Sequence, residues 1–180
     1  MSITGRRMIN LAGFAACAAM MGYALYAEHR LLLAPCPLCV FQRVAVIALG
    51  IVFLLAALVA PRGRGSKVFA GLIGVIAAIG AGVAGRHVWL QSLPPDEVPA
   101  CGPGLDYILD SFPLSEALKL VFTGSGECAT ADWHFLGLSM PAWVLVCIVA
   151  LGVLGVWNNA RGSRVTSREA ATPLSPDTSR

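Results

Sequence analysis

Residues 44–60 read VAVIALGIVFLLAALVA, and Pro61 follows them. No charge interrupts the run. A helix needs ~20 apolar residues to cross the hydrocarbon of a bilayer, so this stretch is a span closed by a residue that cannot continue a helix. Three further blocks pass the same test: about Met8 to Ala27, about Val68 to Ala84, which is rich in Gly and Ala, and about Pro141 to Trp157. Backbone groups cannot stay unpaired in lipid, so all four are expected to be helical. The glycines of the third block (Gly71, Gly74, Gly80, Gly82 and Gly85) would weaken a soluble helix, but in lipid small residues let helices approach closely. The expected fold is an all-α, integral membrane four-helix bundle. Residues 1–160 form the transmembrane domain, residues of about 28–43 and 85–140 form two extracytoplasmic loops, and residues 161–180 form a disordered tail rich in Ser, Thr and Pro.

Composition points the same way. The 180 residues are 57% hydrophobic and 13% charged, with a mean hydropathy of +0.73. Soluble domains are nearer half apolar and a quarter charged. A net charge of +3, carried at the ends of apolar blocks, does not make a nucleic-acid binder. The lipid bilayer is the expected surrounding, and nucleic acid is not an expected partner.

Lys and Arg set the orientation. Arg6 and Arg7 precede the first span, Arg62, Arg64 and Lys67 separate the second from the third, and Arg161, Arg164, Arg168 and Arg180 follow the fourth. These are nine of the thirteen basic residues, and they fall on one side. The other side carries seven acids between Asp96 and Asp132. Both termini are therefore expected in the cytoplasm. A cleaved signal peptide is the competing reading of Arg6-Arg7 and the run after them. That run exceeds the usual ~7–15 apolar residues, so it reads as a retained span.

Of six cysteines, Cys17 and Cys147 lie mid-span and read as small buried hydrophobes. The other four fall on the outer side, where thiols meet an oxidising compartment. Cys36-Pro37-Leu38-Cys39 stands at the mouth of the second span, and Cys101 and Cys128 flank 26 residues of the second loop. A Cys-x-x-Cys ring closes little chain, so it adds little stability; what it supplies is fast, reversible exchange. Exchange needs a thiolate, which a helix N-terminus and a nearby cation favour. Cys39 stands where the second helix begins, and Arg43 lies one turn on, a charge at a depth that marks a functional site. The bland alternative for Arg43 is snorkelling to lipid phosphate. A Cys101–Cys128 bridge reads equally as a staple, contributing roughly 3–4 kcal/mol by chain entropy, or as a shuttle between Pro- and Gly-rich segments. One Cys-x-x-Cys without a second is a weak zinc signal, and no metal is expected. In the second loop Leu114, Leu118 and Val121 suit a short amphipathic helix, and Trp89, Trp133 and Trp143 suit interfacial anchors. His87 follows Arg86 at the outer end of the third span; His29 and His134 acquire no partner from the sequence.

These residues bring a resemblance into view. Pro35-Cys36-Pro37-Leu38-Cys39-Val40-Phe41-Gln42-Arg43, Gly126-Glu127-Cys128, and Trp133 to Trp143 (WHFLGLSMPAW) resemble the DsbB family of disulfide bond formation proteins, with a weaker match at His87-Val88-Trp89-Leu90-Gln91. The resemblance covers about Leu11 to Trp157. It implies a bacterial inner-membrane thiol:quinone oxidoreductase that reoxidises a soluble periplasmic DsbA-like thiol oxidase and passes the electrons to a membrane quinone, ubiquinone or menaquinone. Carried over to this sequence, it makes Cys101 the cysteine attacked by the partner's thiolate and Cys128 its resolving mate, linked to Cys36 through an interloop disulfide. It makes Cys39 the thiolate at the quinone, Arg43 the cation beside them, and His87 a residue near the quinone. Gln42 stands at a variable position and acquires no role. The residues themselves agree with electron transfer to an external acceptor, because hard redox chemistry falls to a cofactor and the chain has no haem, iron–sulfur or nucleotide motif. The rival reading is a non-catalytic membrane subunit whose disulfides only staple its loops.

Overall fold

The computed structural model describes residues 3–33, 35–94, 96–98, 113, 116, 126–129 and 133–169. Four long helices dominate: α1 (Ile3–Arg30), α2 (Pro37–Val59), α3 (Arg64–Gln91) and α4 (Met140–Glu169). A 3-10 turn at Gly126–Cys128 and a two-stranded hairpin, β1 (His134–Phe135) and β2 (Leu138–Ser139), precede α4. All four helices are long and apolar enough to span a membrane. The fold is that of a four-helix membrane protein.

The helices pack as a ring. α3 lies most extensively on α4, α1 on α2, and α2 on α3, while a narrower α1–α4 contact closes the circle. At most 33% of any span's apolar window is buried within the protein, so most of each apolar surface faces outward. On α2 the outward stripe is Val44, Ile47, Ile51, Leu55 and Leu58, spaced three or four apart as one helical face requires. Exposed stripes of this extent are solvated by lipid rather than water.

Phe53 sets the centre. Its side chain is 1% exposed and packs with Cys17, Leu49, Ile73 and Ile148. It fits because its neighbours lack side chains: a Cβ at Gly13 of α1 would lie 2.9 Å from the ring, and one at Gly155 of α4 would lie 2.7 Å from it. In the third block the expectation of close approach holds for Gly80, where a Cβ would meet Ala45 at 3.0 Å, and for Gly74, where it would meet Val156 at 3.3 Å. Gly71, Gly82 and Gly85 have nothing within 4 Å of such an atom, so these three do not serve helix contact.

The helices outrun the apolar blocks that announced them. α2 starts at Pro37 rather than near Val44, and α3 continues through His87 to Gln91. The cause is chemical: Pro37 occupies the first helical turn, where its missing N–H is not needed, and the Cys36 sulfur accepts from the Cys39 backbone N–H. Cys39, Arg43 and His87 therefore stand on helices, not in loops. At the far end α4 runs through Glu169, into the segment expected to be unstructured; there Arg161 stacks on Trp157 at 3.7 Å.

The arginines that fixed the expected orientation also have partners. Arg7 donates from Nε to the Ala57 carbonyl at 2.9 Å and from Nη2 to the Leu58 carbonyl at 3.1 Å, satisfying acceptors left over at the end of α2. Arg6 is buried and donates to the Pro61 carbonyl and to Ser66. Asn158 and Asn159 both bond to Asn10 beside it, tying α1 to α4.

Candidate active site

The chemistry-bearing residues gather at the opposite end of the bundle from Arg6. Cys36 caps α2, Cys39 lies in its first turn, and their sulfurs are 3.1 Å apart, with Cys36 as donor. An S–S bond is ~2.05 Å, so closing this pair takes a movement of about 1 Å. His87 comes across from α3. Its Nε2 is 3.7 Å from the Cys36 sulfur and its Nδ1 4.0 Å from the Cys39 sulfur. The 3-10 turn lays Cys128 on the same spot, fully buried, so that Cys36, Cys128 and His87 have their sulfur and nitrogen atoms within 4.8 Å of one another. Leu38, Val83 and Leu90 wall this cluster with apolar surface. Hydrogen bonding to Cys128, then to Cys39, and then burial hold the Cys36 thiol well above the ordinary thiol range. Cys36 is thereby kept as a donor toward Cys39.

Beside the sulfurs opens a cleft of about 140 Å³ between all four helices. Cys39, Gln42, Arg43 and His87 give it a polar wall, and Met20, Met21, Val46 and Val144 give it an apolar one. A dry 150 Å³ cavity suffices for benzene, so this volume suits one substituted ring. Arg43 lines the cleft while its guanidinium is paired with Glu28 of α1 and donates to the Ala24 carbonyl. Both partners of that pair are partly exposed, at 22% and 31%, so solvent screening leaves it a small net contribution to stability. Its effect is positional: it fastens α1 to α2 at the rim.

Two participants escaped the sequence reading. Gln42, given no role, is 4% exposed, and its side-chain amide lies 2.9 Å from His87 Nδ1. A polar residue following Phe41 inside an apolar helix is the signal that could have found it. Glu28 is the other, visible as an acid on the same side as Arg43. The hairpin was also unforeseen. His134 pairs with Ser139 and Phe135 with Leu138, and Leu136 and Gly137 turn the corner with φ of 53° and 80°. Two positive φ values make the turn type whose twist suits a two-residue hairpin. Ring contacts run from Tyr23 through Trp133 and Phe135 to Trp143, and the Trp143 indole donates to the Phe135 carbonyl. Trp133 thereby reaches the cleft. Of the remaining expectations, Cys17 is a buried core residue and Cys147 is partly buried. His29 bonds to the Leu25 carbonyl of its own helix. Cys101 and the Leu114–Leu118–Val121 face lie outside the described residues.

Fold and site together define a multi-pass helical membrane protein with cysteines clustered at one end of its bundle. Comparison with known proteins narrows this class. A family model described as "Disulfide bond formation protein DsbB" matches residues 6–158. A protein of Nitrosococcus oceani named "Disulfide bond formation protein B" is 55% identical over 155 residues, covering 86% of this chain and 92% of its own. Proteins of the same name from Methylococcus capsulatus (48% over 164 residues, 89% and 100% covered) and Hahella chejuensis (50% over 151 residues, 84% and 90% covered) are similar throughout. The chain belongs to the DsbB family, and it is a membrane protein of disulfide bond formation.

Proposed function

We propose that the protein is a thiol:quinone oxidoreductase of the bacterial inner membrane that reoxidises a periplasmic DsbA-like dithiol protein. The observation that carries this reading is the seating of Cys128 against Cys36, with Cys39 beside them on the wall of a ring-sized cleft. A staple between loops needs no second cysteine pair within reach, whereas a relay does. In the relay the partner's thiolate attacks the Cys101–Cys128 disulfide at Cys101. The partner leaves as a disulfide, and Cys101 and Cys128 take its two electrons as a dithiol. Cys128 then attacks Cys36 of the Cys36–Cys39 disulfide, expelling Cys39 as thiolate. Cys101 resolves the Cys36–Cys128 bond, which restores its own pair and leaves Cys36 and Cys39 reduced. Exchange of this kind proceeds by thiolate attack along a line of sulfurs, which the close packing of Cys36, Cys39 and Cys128 favours.

The cleft fits a quinone head: it has apolar Met and Val walls for a ring, with Arg43, His87 and Gln42 as polar groups. A bound quinone would supply the two-electron acceptor that a closed cycle of thiol exchange lacks. Cys39, Arg43 and His87 would hold it. Cys36 keeps its proton directed at the Cys39 sulfur, which stabilises negative charge there. The test uses full-length protein in detergent with a reduced DsbA-like partner and a short-chain ubiquinone or menaquinone. The expected result is stoichiometric partner oxidation with loss of quinone absorbance. Cys36→Ala and Cys101→Ala each abolish it while the helical circular dichroism persists. Partner oxidation undiminished in both variants, or none in the native protein, overturns the reading.

A further inference from the structure

We propose that the reduced protein binds one thiophilic divalent cation, Zn2+ in the first instance, through Cys36, Cys128 and His87, and that this site competes with disulfide exchange. The sequence spacing offered a single Cys-x-x-Cys and so argued against zinc. The fold supplies what the spacing lacked, bringing a third sulfur from the 3-10 turn and an imidazole from α3.

The geometry is that of a ligand shell. Zn–S and Zn–N bonds of about 2.3 and 2.0 Å, set tetrahedrally, place sulfur about 3.5 Å from nitrogen. Cys36 Sγ lies 3.7 Å from His87 Nε2, and all three donor atoms fall within 4.8 Å of one another. The Cys39 sulfur, 3.1 Å from that of Cys36, is at hand for a fourth position and completes a three-cysteine, one-histidine set. All three assigned ligands are buried, so water competes weakly for the ion. A second shell is at hand: the Gln42 side-chain amide lies 2.9 Å from His87 Nδ1, and turned so that its oxygen accepts the Nδ1 proton it would leave Nε2 unprotonated toward Cys36. Uptake involves no redox change. Zn2+ replaces the protons of the ligating thiols, which pass to solvent, and a thiolate bound to the ion is withdrawn from attack on a disulfide.

The experiment titrates full-length protein in detergent, anaerobically reduced and freed of reductant, with Co2+ and then Zn2+. The expected result is a thiolate-to-cobalt charge-transfer band that saturates at one equivalent, is displaced by Zn2+, and is missing from protein oxidised to disulfides. Cys128→Ala and His87→Ala should each weaken cobalt binding at least ~10-fold, and Cys147→Ala should leave it unchanged. His87→Asn, with helicity checked by circular dichroism, covers the case in which the alanine variant does not fold. No band in reduced native protein overturns the proposal, as does an equal band in oxidised protein or in both ligand variants. Metal-free turnover with partner and quinone is measured on the same preparation. Turnover without cobalt binding rejects the metal site and leaves the relay standing; cobalt binding without turnover rejects the relay and leaves the site.

Discussion

Gln42 shows how much one side chain can settle at the residue scale. It is buried, as is His87, and their contact is a polar link between α2 and α3 beside the sulfurs. An imidazole nitrogen stripped of its partner in such a place costs about 1–3 kcal/mol. Gln42→Leu should therefore lower the thermal midpoint in detergent by an amount matching that loss. Equal midpoints for the native and leucine proteins would show that the contact contributes nothing. Cys36, Cys39, Cys128, His87 and Arg43, which the fold brings to one end of the bundle, could be read from the sequence as candidates because charge, sulfur and imidazole are conspicuous next to apolar spans. Gln42 could not, because its partner lies 45 positions away across a helix interface whose register no local pattern encodes. Glu28 escaped for the same reason: one acid at a helix end has many possible partners, and packing of α1 on α2 selects Arg43.

Among elements, the spans were legible and their ends were not. Hydropathy measures the thickness of lipid, whereas a helix stops where its terminal groups are satisfied. Thus α2 gains its first turn from Pro37 and the Cys36 cap, and its last from Arg7. Arg7→Ala removes a charged donor from the Ala57 and Leu58 carbonyls and should cost about 1.5–3 kcal/mol. Arg7→Lys, a single compact ammonium, should restore only part of this. Unfolding by graded denaturant in mixed micelles measures both, and parity of the alanine variant with native protein would remove the capping role. Glycines separate helix contact from composition in the same way. Gly155→Val forces a Cβ against the Phe53 ring and should destabilise by about 1–3 kcal/mol, while Gly71→Val, with nothing within 4 Å, should be near neutral. Similar losses at both positions would mean that Phe53 is not seated between α1 and α4.

For the whole molecule the question is which end faces out. The buried, hydrogen-bonded Arg6 and the Arg7 cap show that positive charge near α1 has a structural use as well as a topological one. On the proposed reading the α2–α3 end is cytoplasmic, since Arg62 lies in the short turn and Arg64 and Lys67 in the first turn of α3, where such charges are read during insertion. The proposed orientation then puts the Cys36–Cys128 cluster outside, in the compartment where disulfides persist. Single cysteines at Gly65 in the turn region and at His134 in the hairpin report the two ends, since both positions are exposed. In a background with the native cysteines replaced, a membrane-impermeant maleimide applied to spheroplasts should label His134→Cys, and should reach Gly65→Cys only after lysis. The reverse pattern would put the sulfur cluster in the reducing cytoplasm. A disulfide relay there would be held reduced by thiol buffers, and the proposed direction of electron flow would lose its physical basis.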